Sequence, residues 1–328
     1  MPAEWEKQSA VQLTWPHEAT DWAPILPEIT AVYEEMAREI RKREKLIIVD
    51  DIPHNDTWAR DHGFITVEQL STPNSQRLRV GEQSSGILST LLLDFQFNGW
   101  GEKFPAELDN QINRQLYDRG LVKGIYEPHL DFVLEGGSIE SDGKGTVFTT
   151  ECCLMAPHRN QPLTKADIED RLKTYLGAER IVWLQHGSLL GDDTDGHIDT
   201  LVRICPDDTI LYVGCDDPDD EQYAELKLME EQLKTFRTLD GKPYRLLKFP
   251  MPRPIIFDGE RLPATYANFL IINGAVLCPT YAQPDLDAEA LRLIGEAFPD
   301  RDIVGIDCRS IIKQHGSLHC CTMQYPRI

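Results

Sequence analysis

The sequence predicts an α/β fold in which one domain, residues 1–328, is built from five similar β/α units. Helical periodicity predicts five helices that start near residues 27, 105, 164, 219 and 285, and an apolar strand follows each one. The spacing of roughly 55 to 80 residues indicates a repeated unit. A doubly wound sheet is the default alternative, but no Gly-x-Gly-x-x-Gly lies between a strand and a helix, and no Pro- or Ser-rich linker divides the chain.

Local start and stop signals support the first three helices. Pro27 suits the first turn of a helix because proline already has the helical φ. Gly120 is a stop signal for the second helix. Thr164 and Asp167 form a capping-box-like pair at the start of the third, which is predicted to end at Gly177.

Turn residues predict two hairpins in the rest of the chain. Asp142-Gly143 precedes the apolar run 146–149, and Asn273-Gly274 separates two apolar runs, which predicts a type I′ turn. The polar stretch from Ser71 to Ser85 predicts a loop.

The charge of the chain limits the class of partner. A formal net charge of −21 argues against a nucleic-acid binder, because phosphate contacts need clustered Lys and Arg. A negative field favours a cationic substrate, although the same charge also serves solubility. No apolar run approaches the roughly 20 residues that a membrane helix needs, so no membrane association is expected.

The eight cysteines are scattered and none lies in a Cys-x-x-Cys pair, which argues against a structural zinc site. This usage is typical of a reduced, cytoplasmic protein, and the N-terminus has no signal-peptide pattern.

Four polar clusters lie at predicted strand ends or turns, where functional residues concentrate. They are Trp58–Asp61, Leu134–Gly137, Gly196–Asp199 and Gly316–Thr322. Together they hold a thiol, an imidazole and at least three carboxylates.

The thiol and the imidazole each have a structural alternative. Cys320 and Cys321 could be inert buried thiols, but a neighbouring histidine and a polar turn favour a nucleophile. His197 could be a hydrogen-bonded structural residue. If residues 197–199 form a strand, His197 and Asp199 share one face and can meet one substrate.

Each remaining candidate also has a structural and a functional interpretation. Glu135 precedes two glycines and could be a turn residue or a residue that a ligand approaches closely. Asp61 could pair with Arg60 in a structural ion pair. Trp58 could belong to the core or offer its face to a cation.

Taken together, these residue types suit the chemistry of a guanidinium group. Carboxylates can hold the planar cation with paired hydrogen bonds. A thiolate can then attack its central carbon, and a histidine can protonate the leaving ammonia and later activate a water.

The same motifs resemble the agmatine deiminase family, which includes bacterial-type peptidylarginine deiminases. The resemblance covers essentially the whole chain, in order, and rests on the following segments: Met1–Glu6, Asn55–Asp61, Phe97–Gly101, Leu134–Ser138, Arg159-Asn160, Gly196–Asp199, Tyr266–Phe269 and Gly316–Gln324.

This resemblance implies a fold, an activity and a set of roles. The fold would be the pentein fold, a five-bladed α/β propeller with the site in its central channel. The activity would be hydrolysis of agmatine, a small cationic guanidine, to N-carbamoylputrescine and ammonia without metal or cofactor. The intermediate would be an amidino group carried on cysteine.

By residue match, Cys320 is the expected nucleophile and Cys321 falls at a variable position of the family motif. His197 is the expected general acid and base. Glu135 is expected to orient His197 and to contact the guanidinium, which Asp61 and Asp199 are expected to bind. Trp58 and Asp193 are expected to line the site, with Asp193 near the far amine.

Two segments depart from the family pattern. Gln314–Ser317 stands where many members have Gly-Gly-Gly-Asn, which changes the expected rim of the pocket. Only about five residues separate the strand ending at Val49 from Asn55, where members have a longer connection. Either the first unit is trimmed or residues are absent from this chain.

Other functions fit parts of the same pattern. A deiminase of peptidyl-arginine or free arginine would use the same catalytic residues, and the compact size favours a small molecule. A guanidine-binding protein without activity would lack the nucleophile or the base, and both are present. A metal-dependent hydrolase is a third possibility. The family resemblance also suggests a homo-oligomer.

Overall fold

The computed structural model describes residues 1–71 and 87–326 of the chain. The predicted loop at 71–85 therefore lies outside the described residues, apart from Ser71, which ends a strand. The helices of the described part are α1 (Leu26–Arg41), α2 (Ala59–His62), α3 (Gly99–Glu102), α4 (Ile112–Asp118), α5 (Glu151–Leu154), α6 (Lys165–Leu176), α7 (Tyr223–Leu233) and α8 (Pro284–Ala297). None of these helices is long and apolar enough to cross a membrane.

The strands of the described part, in chain order, are β1 (Gln8–Thr14), β2 (Lys45–Val49), β3 (Ile65–Ser71), β4 (Ile87–Gln96), β5 (Ile125–Val133), β6 (Ile139–Ser141), β7 (Thr146–Thr150), β8 (Arg180–Leu184), β9 (Val202–Cys205), β10 (Thr209–Val213), β11 (Arg245–Phe249), β12 (Ile256–Phe257), β13 (Glu260–Arg261), β14 (Leu270–Ile272), β15 (Ala275–Thr280), β16 (Asp302–Asp307) and β17 (Thr322–Pro326).

Five three-stranded sheets repeat one topology. Their strand orders are β17-β1-β2, β3-β4-β5, β6-β7-β8, β9-β10-β11 and β14-β15-β16. In each sheet the middle strand pairs antiparallel with the first strand and parallel with the third. A helix, α1, α4, α6, α7 or α8, connects the two parallel strands, as parallel pairing requires. The prediction of five helices, each followed by a strand, is confirmed.

The first sheet is assembled from both ends of the chain. β17 pairs antiparallel with β1, so that Leu13 lies opposite Thr322 and Val11 opposite Gln324. β1 also pairs parallel with β2, and α1 connects these two strands. The strand that follows the polar cluster at 316–322 is therefore held in place by the beginning of the chain.

The core lies between the helices and the sheets. α1 buries Ile29, Tyr33, Met36 and Ile40 completely, at the spacing of one helical face. These side chains belong to a cluster that extends to the fourth and fifth sheets. One smaller cluster lies along the second and third sheets, and another contains residues of the first and second sheets.

Several local predictions are confirmed. Thr164 and Asp167 form the reciprocal capping box, and Gly177 ends α6 in the left-handed region with φ = 63°. Gly120, with φ = 66°, follows α4. The Asp142-Gly143 turn joins β6 to β7.

Three local predictions are wrong in detail. The second helix begins as a 3₁₀ turn at Asp109 rather than near residue 105, and the fourth begins at Tyr223 rather than near 219. The Asn273-Gly274 hairpin joins β14 to β15, but only the glycine has a positive φ, so the turn is not type I′. Asn273 instead exchanges hydrogen bonds with the backbone of Gln8, which holds it in place.

Candidate active site

Five polar side chains occupy equivalent places in the five repeated units. Each lies within five residues before the first strand of its sheet: Asp61 before β3, Glu135 before β6, Asp199 before β9, Asn268 before β14 and Cys320 before β17. All five are buried. The repeated topology thus brings one functional group from each unit toward a common region.

Cys320 is held by the side chain of Asn268. The amide oxygen of Asn268 accepts hydrogen bonds from the Cys320 N–H (3.3 Å) and thiol (3.4 Å). The thiol also lies 3.9 Å from Asp199 Oδ2. The neighbouring Cys321 points elsewhere, since its thiol donates to the Ser317 carbonyl at 3.4 Å.

Asp61 faces the site with both oxygens already hydrogen-bonded. Its Oδ2 accepts from Trp100 Nε1 at 3.0 Å, and its Oδ1 accepts from the Gly137 N–H at 3.1 Å. Burial, opposed by nearby His197, raises the pKa of Asp61 to about 6. The structural alternative, an ion pair with Arg60, is wrong, because in the described part of the chain Arg60 contacts the His319 carbonyl and the Met323 sulfur instead.

His197 is fully buried between Asp61 and Glu135. Its Nδ1 lies 3.6 Å from Asp61 Oδ1, and neither ring nitrogen has a hydrogen-bond partner among the described residues. A Cβ at Gly137 would lie only 2.5 Å from His197 Nδ1, so the glycine makes room for the ring. Residue 197 precedes a 3₁₀ turn, Ile198–Thr200, so the condition of a strand at 197–199 is not met, although both side chains enter the site.

Glu135 lies behind the imidazole and carries one free oxygen. Its Oε1 accepts from Arg159 Nε at 2.8 Å, and its Oε2 is buried without a partner among the described residues. One ligand atom of Glu135 and one of His197 lie within 4.8 Å of each other. Arg159 also binds Asp195, which anchors Glu135 to the loop before His197.

Asp199 is fully buried beside the thiol. Its Oδ2 contacts His319 Nδ1 at 2.7 Å, and its Oδ1 has no partner among the described residues. Burial alone would raise the pKa of Asp199, but the hydrogen bond and charge of His319 lower it below its ordinary value. The two aspartates therefore differ, because Asp199 is favoured as an anion and Asp61 is not.

A cavity of about 160 Å³ opens onto Cys320 and Asp61. Trp58 and Trp100 form part of its wall, as does Asp193, whose side chain is 44% exposed. Glu135, His197 and Asp199 are not wall residues but lie buried behind it. The structure therefore brings all seven residues selected from the sequence to one region, with Trp58 and Asp193 on its outer side.

The electrostatics of the site disfavour a free thiolate. Burial, together with the negative charges of Asp199 and Asp61, raises the pKa of the Cys320 thiol well above its ordinary value. The cavity wall also includes Asp21, Asp56 and Asp192, and contains no Lys or Arg among the described residues. The described wall of the cavity thus offers the thiol no Lys or Arg that would stabilise a thiolate.

Four supporting residues were missed from the sequence: Asn268, which holds Cys320; Trp100, which holds Asp61; Arg159, which holds Glu135; and His319, which holds Asp199. Each belongs to a motif segment that the sequence already indicated, but each acts on a residue of another unit or another motif. For Asn268, the available signal was its place just before a strand, as for the other four.

The fold has known relatives. A dimethylarginine dimethylaminohydrolase structure superposes with a TM-score of 0.53 at 13% identity over 97% of this chain and all of that one, a likeness of fold alone. The chain therefore shares a mixed α/β fold with this enzyme.

Sequence comparison identifies the family. The profile of the Porphyromonas-type peptidyl-arginine deiminases matches residues 1–326, and the chain belongs to this family. A putative agmatine deiminase of Vibrio parahaemolyticus is 34% identical, with 99% of this chain and 96% of the relative covered.

Two solved structures are similar over the whole chain. A putative arginine deiminase from Porphyromonas gingivalis has a TM-score of 0.89 at 47% identity, covering 100% of this chain and 98% of its own. A substrate-bound agmatine deiminase of C. jejuni has a TM-score of 0.87 at 34% identity, covering 100% and 96%.

The Vibrio alignment is also longer than this chain. It spans 363 positions, at least 35 more than the 328 residues of this chain, so the relative has segments without a counterpart here. In the structure, β2 leads to α2 through a short connection in which His54 bonds the Ile52 and Trp15 carbonyls.

Proposed function

We propose that this protein hydrolyses agmatine to N-carbamoylputrescine and ammonia through a covalent amidino-cysteine intermediate. The observation that carries the proposal is the convergence of one buried thiol, one imidazole and three carboxylates beside a cavity whose wall has no Lys or Arg among the described residues. Relatives named as agmatine deiminases, one of them solved with substrate bound, support it.

The carboxylates suit a guanidinium group. Asp199 Oδ1 and Glu135 Oε2 are buried acceptors without partners among the described residues, and Asp61 lies close to both charges. A buried acceptor without a hydrogen bond costs free energy. A planar cation with several N–H donors would therefore bind favourably between these oxygens. Trp58 and Trp100 in the cavity wall offer aromatic faces to the same cation.

Cation binding would also activate the nucleophile. Asp61 and Asp199 raise the pKa of the Cys320 thiol through their negative charge, in addition to its burial. A guanidinium placed between them offsets that charge, and the thiolate becomes more accessible when substrate is bound. We therefore assign Cys320 as the nucleophile and Asp61 and Asp199 as the guanidinium ligands.

His197 is assigned as general acid and base. His197 takes the thiol proton as Cys320 Sγ forms a bond to the guanidinium carbon. The C–N bond to one terminal nitrogen then breaks, and that nitrogen leaves as ammonia with the proton from His197. His197 then takes a proton from a water that attacks the same carbon. The C–S bond breaks, the thiol recovers a proton, and the urea group is released. Glu135 orients the imidazole.

The cavity wall favours an amine over a carboxylate at the far end of the substrate. Asp21, Asp56, Asp192 and Asp193 belong to this wall, together with His315. An ammonium gains from these charges, whereas the α-carboxylate of free arginine would be repelled. We assign Asp193 to the far amine of agmatine.

We further propose that the five units close into a five-bladed propeller and that residues 1–328 act as one catalytic domain. The identical strand order of five sheets, and one site residue from each, support this arrangement. The eight cysteines are all free, which supports a cytoplasmic location.

The test is ammonia release from agmatine, free arginine and a blocked arginyl peptide, measured side by side with EDTA present. We expect turnover of agmatine, little of arginine or peptide, and no effect of the chelator. Cys320→Ser should abolish release from agmatine, with Cys321→Ser as the matched control.

Two outcomes would contradict the proposal. Turnover of the peptide but not of agmatine would make the protein an enzyme of protein modification with the same catalytic residues. Loss of activity with EDTA would indicate a metal-dependent hydrolase rather than a thiol-dependent one.

A further inference from the structure

A chain of buried hydrogen bonds leads from Asp199 to the beginning of the sequence. His319 Nδ1 contacts Asp199 Oδ2 at 2.7 Å, and His319 Nε2 contacts Glu4 Oε2 at 2.8 Å. The side chains of Glu4, His319 and Asp199 are at most 9% exposed. Glu4 also accepts from the Ile271 N–H at 2.9 Å, so its position is fixed by β14.

The geometry of His319 indicates an imidazolium. Each ring nitrogen faces a carboxylate oxygen, and both contacts can be hydrogen bonds only if both nitrogens carry a hydrogen. Arg203 Nη2 also lies 3.3 Å from Nε2, which would suit a neutral ring that accepts there. The shorter contact to Glu4 favours the doubly protonated form, because a neutral acceptor nitrogen would repel the carboxylate.

The charges around His319 agree with this form. Three carboxylates, Glu4, Glu140 and Asp199, and two guanidinium groups, Arg60 and Arg203, are buried near it, which leaves one negative charge that a protonated His319 neutralises. A metal ion is not needed there, since Arg203 already binds both Glu4 (2.8 Å) and Glu140 (2.6 Å).

We propose that Glu4 is a positioning residue for the reaction, acting through His319 to fix Asp199 as an oriented anion with its second oxygen free for the guanidinium. The inference rests on the proposed role of Asp199 as a guanidinium ligand. It makes the segment before β1 a functional part of a site whose nucleophile lies more than 300 residues away. Asp61, whose nearest described histidine nitrogen is His197 Nδ1 at 3.6 Å, has a pKa that burial raises to about 6.

Alkylation of Cys320 by two matched reagents tests the inference without the natural substrate. Chloroacetamidine carries an amidinium group that can bind to the carboxylates of the site, whereas chloroacetamide is neutral. In both, the sulfur displaces chloride from the CH₂ carbon. We expect the wild-type protein to prefer the cationic reagent. Glu4→Gln should lower that preference by about 10- to 100-fold, because a misplaced ligand costs this much in an oriented reaction, while the rate with chloroacetamide changes little.

Controls separate this effect from a loss of structure. Glu6→Gln changes an exposed carboxylate two residues further on and should keep the wild-type preference. If Glu4→Gln does not fold, His319→Asn removes the contact to Glu4 by another route and should show the same loss. Assignment of the alkylated residue by peptide mapping restricts the readout to Cys320.

An unchanged reagent preference in a folded Glu4→Gln or His319→Asn protein would overturn the inference. The reagent preference does not depend on agmatine being the substrate. If agmatine is not turned over but the Glu4 variant loses its preference, the proposed function fails and the positioning role stands.

Discussion

Asp61→Asn is expected to make the protein more stable at neutral pH while abolishing its activity. Asp61 is buried, and its pKa is raised from 3.8 to about 6. The folded state therefore binds a proton at Asp61 more tightly than the unfolded state. Above pH 6 the ionised carboxylate destabilises the fold, and this penalty diminishes as the pH falls through 6 toward 3.8.

The size of the effect follows from the shift. About two pKa units correspond to roughly 3 kcal/mol of penalty at pH 7.5. Asparagine removes the charge but also loses one of two hydrogen bonds, from Trp100 or Gly137, at a cost of about 1 to 2 kcal/mol. The net gain at pH 7.5 is then roughly 1 to 2 kcal/mol. At pH 5.0 it should be about 1.4 kcal/mol smaller, since Asp61 is then mostly protonated in the fold.

The assay is urea unfolding of wild type and variant at pH 7.5 and 5.0, with urea chosen because guanidinium would bind the site. Asp199→Asn is the matched contrast. The pKa of Asp199 is lowered, so its ionised form stabilises the fold above the unfolded pKa, and this stability is lost only as the pH falls through the lower folded value. Asp199→Asn should therefore be less stable than wild type at both pH values.

A destabilised Asp61→Asn protein at pH 7.5, or a stability difference that does not change between the two pH values, would refute the reasoning. So would normal turnover of agmatine by either variant, because each loses a charge partner of a desolvated cation.

Three further outcomes are expected. Cys320→Ser should lower turnover by roughly 10⁴- to 10⁶-fold, whereas Cys321→Ser should change it little; the reverse pattern in steady-state assays would exchange their roles. Trp100→Phe removes a hydrogen bond that stabilises ionised Asp61, so the acidic limb of the pH profile of kcat/KM should move up by roughly one pH unit. An acidic limb at the wild-type pH would show that this hydrogen bond does not affect catalysis. Gly137→Ala places a methyl group 2.5 Å from the buried imidazole and should lower kcat about 100-fold with the fold intact by circular dichroism; normal kcat would show that the ring can move freely.

Much of the fold could be predicted because its signals are local. The capping box at Thr164, the glycine after α6 and the apolar periodicity of α1 depend on residues within one or two turns. The start of the second helix was harder to predict, because a 3₁₀ turn at Asp109 precedes α4. The Asp109 side chain accepts hydrogen bonds from the backbone N–H groups of Asn55 and Asp56, which lie outside the helix. A tertiary hydrogen bond of this kind leaves no periodic pattern.

The candidate site was predictable in its reactive groups but not in their supports. A thiol, an imidazole and carboxylates in turns indicate chemistry from their types alone. Asn268 and His319 have no such signature, because they act through contacts with residues 52 and 120 positions away in sequence. The convergence of His197 and Asp199 was expected for a strand, whereas a 3₁₀ turn brings it about.

The pairing of β17 with β1 constrains how the protein can be made. Residues 13 and 322 are 309 positions apart, so a growing chain on the ribosome can form four of the five sheets before its first sheet is complete. Closing such a long loop is slow and entropically costly. The thiol precedes the closing strand by two residues, so the nucleophile reaches the carboxylates only when that strand docks. The onset of reactivity would then follow the docking of this strand.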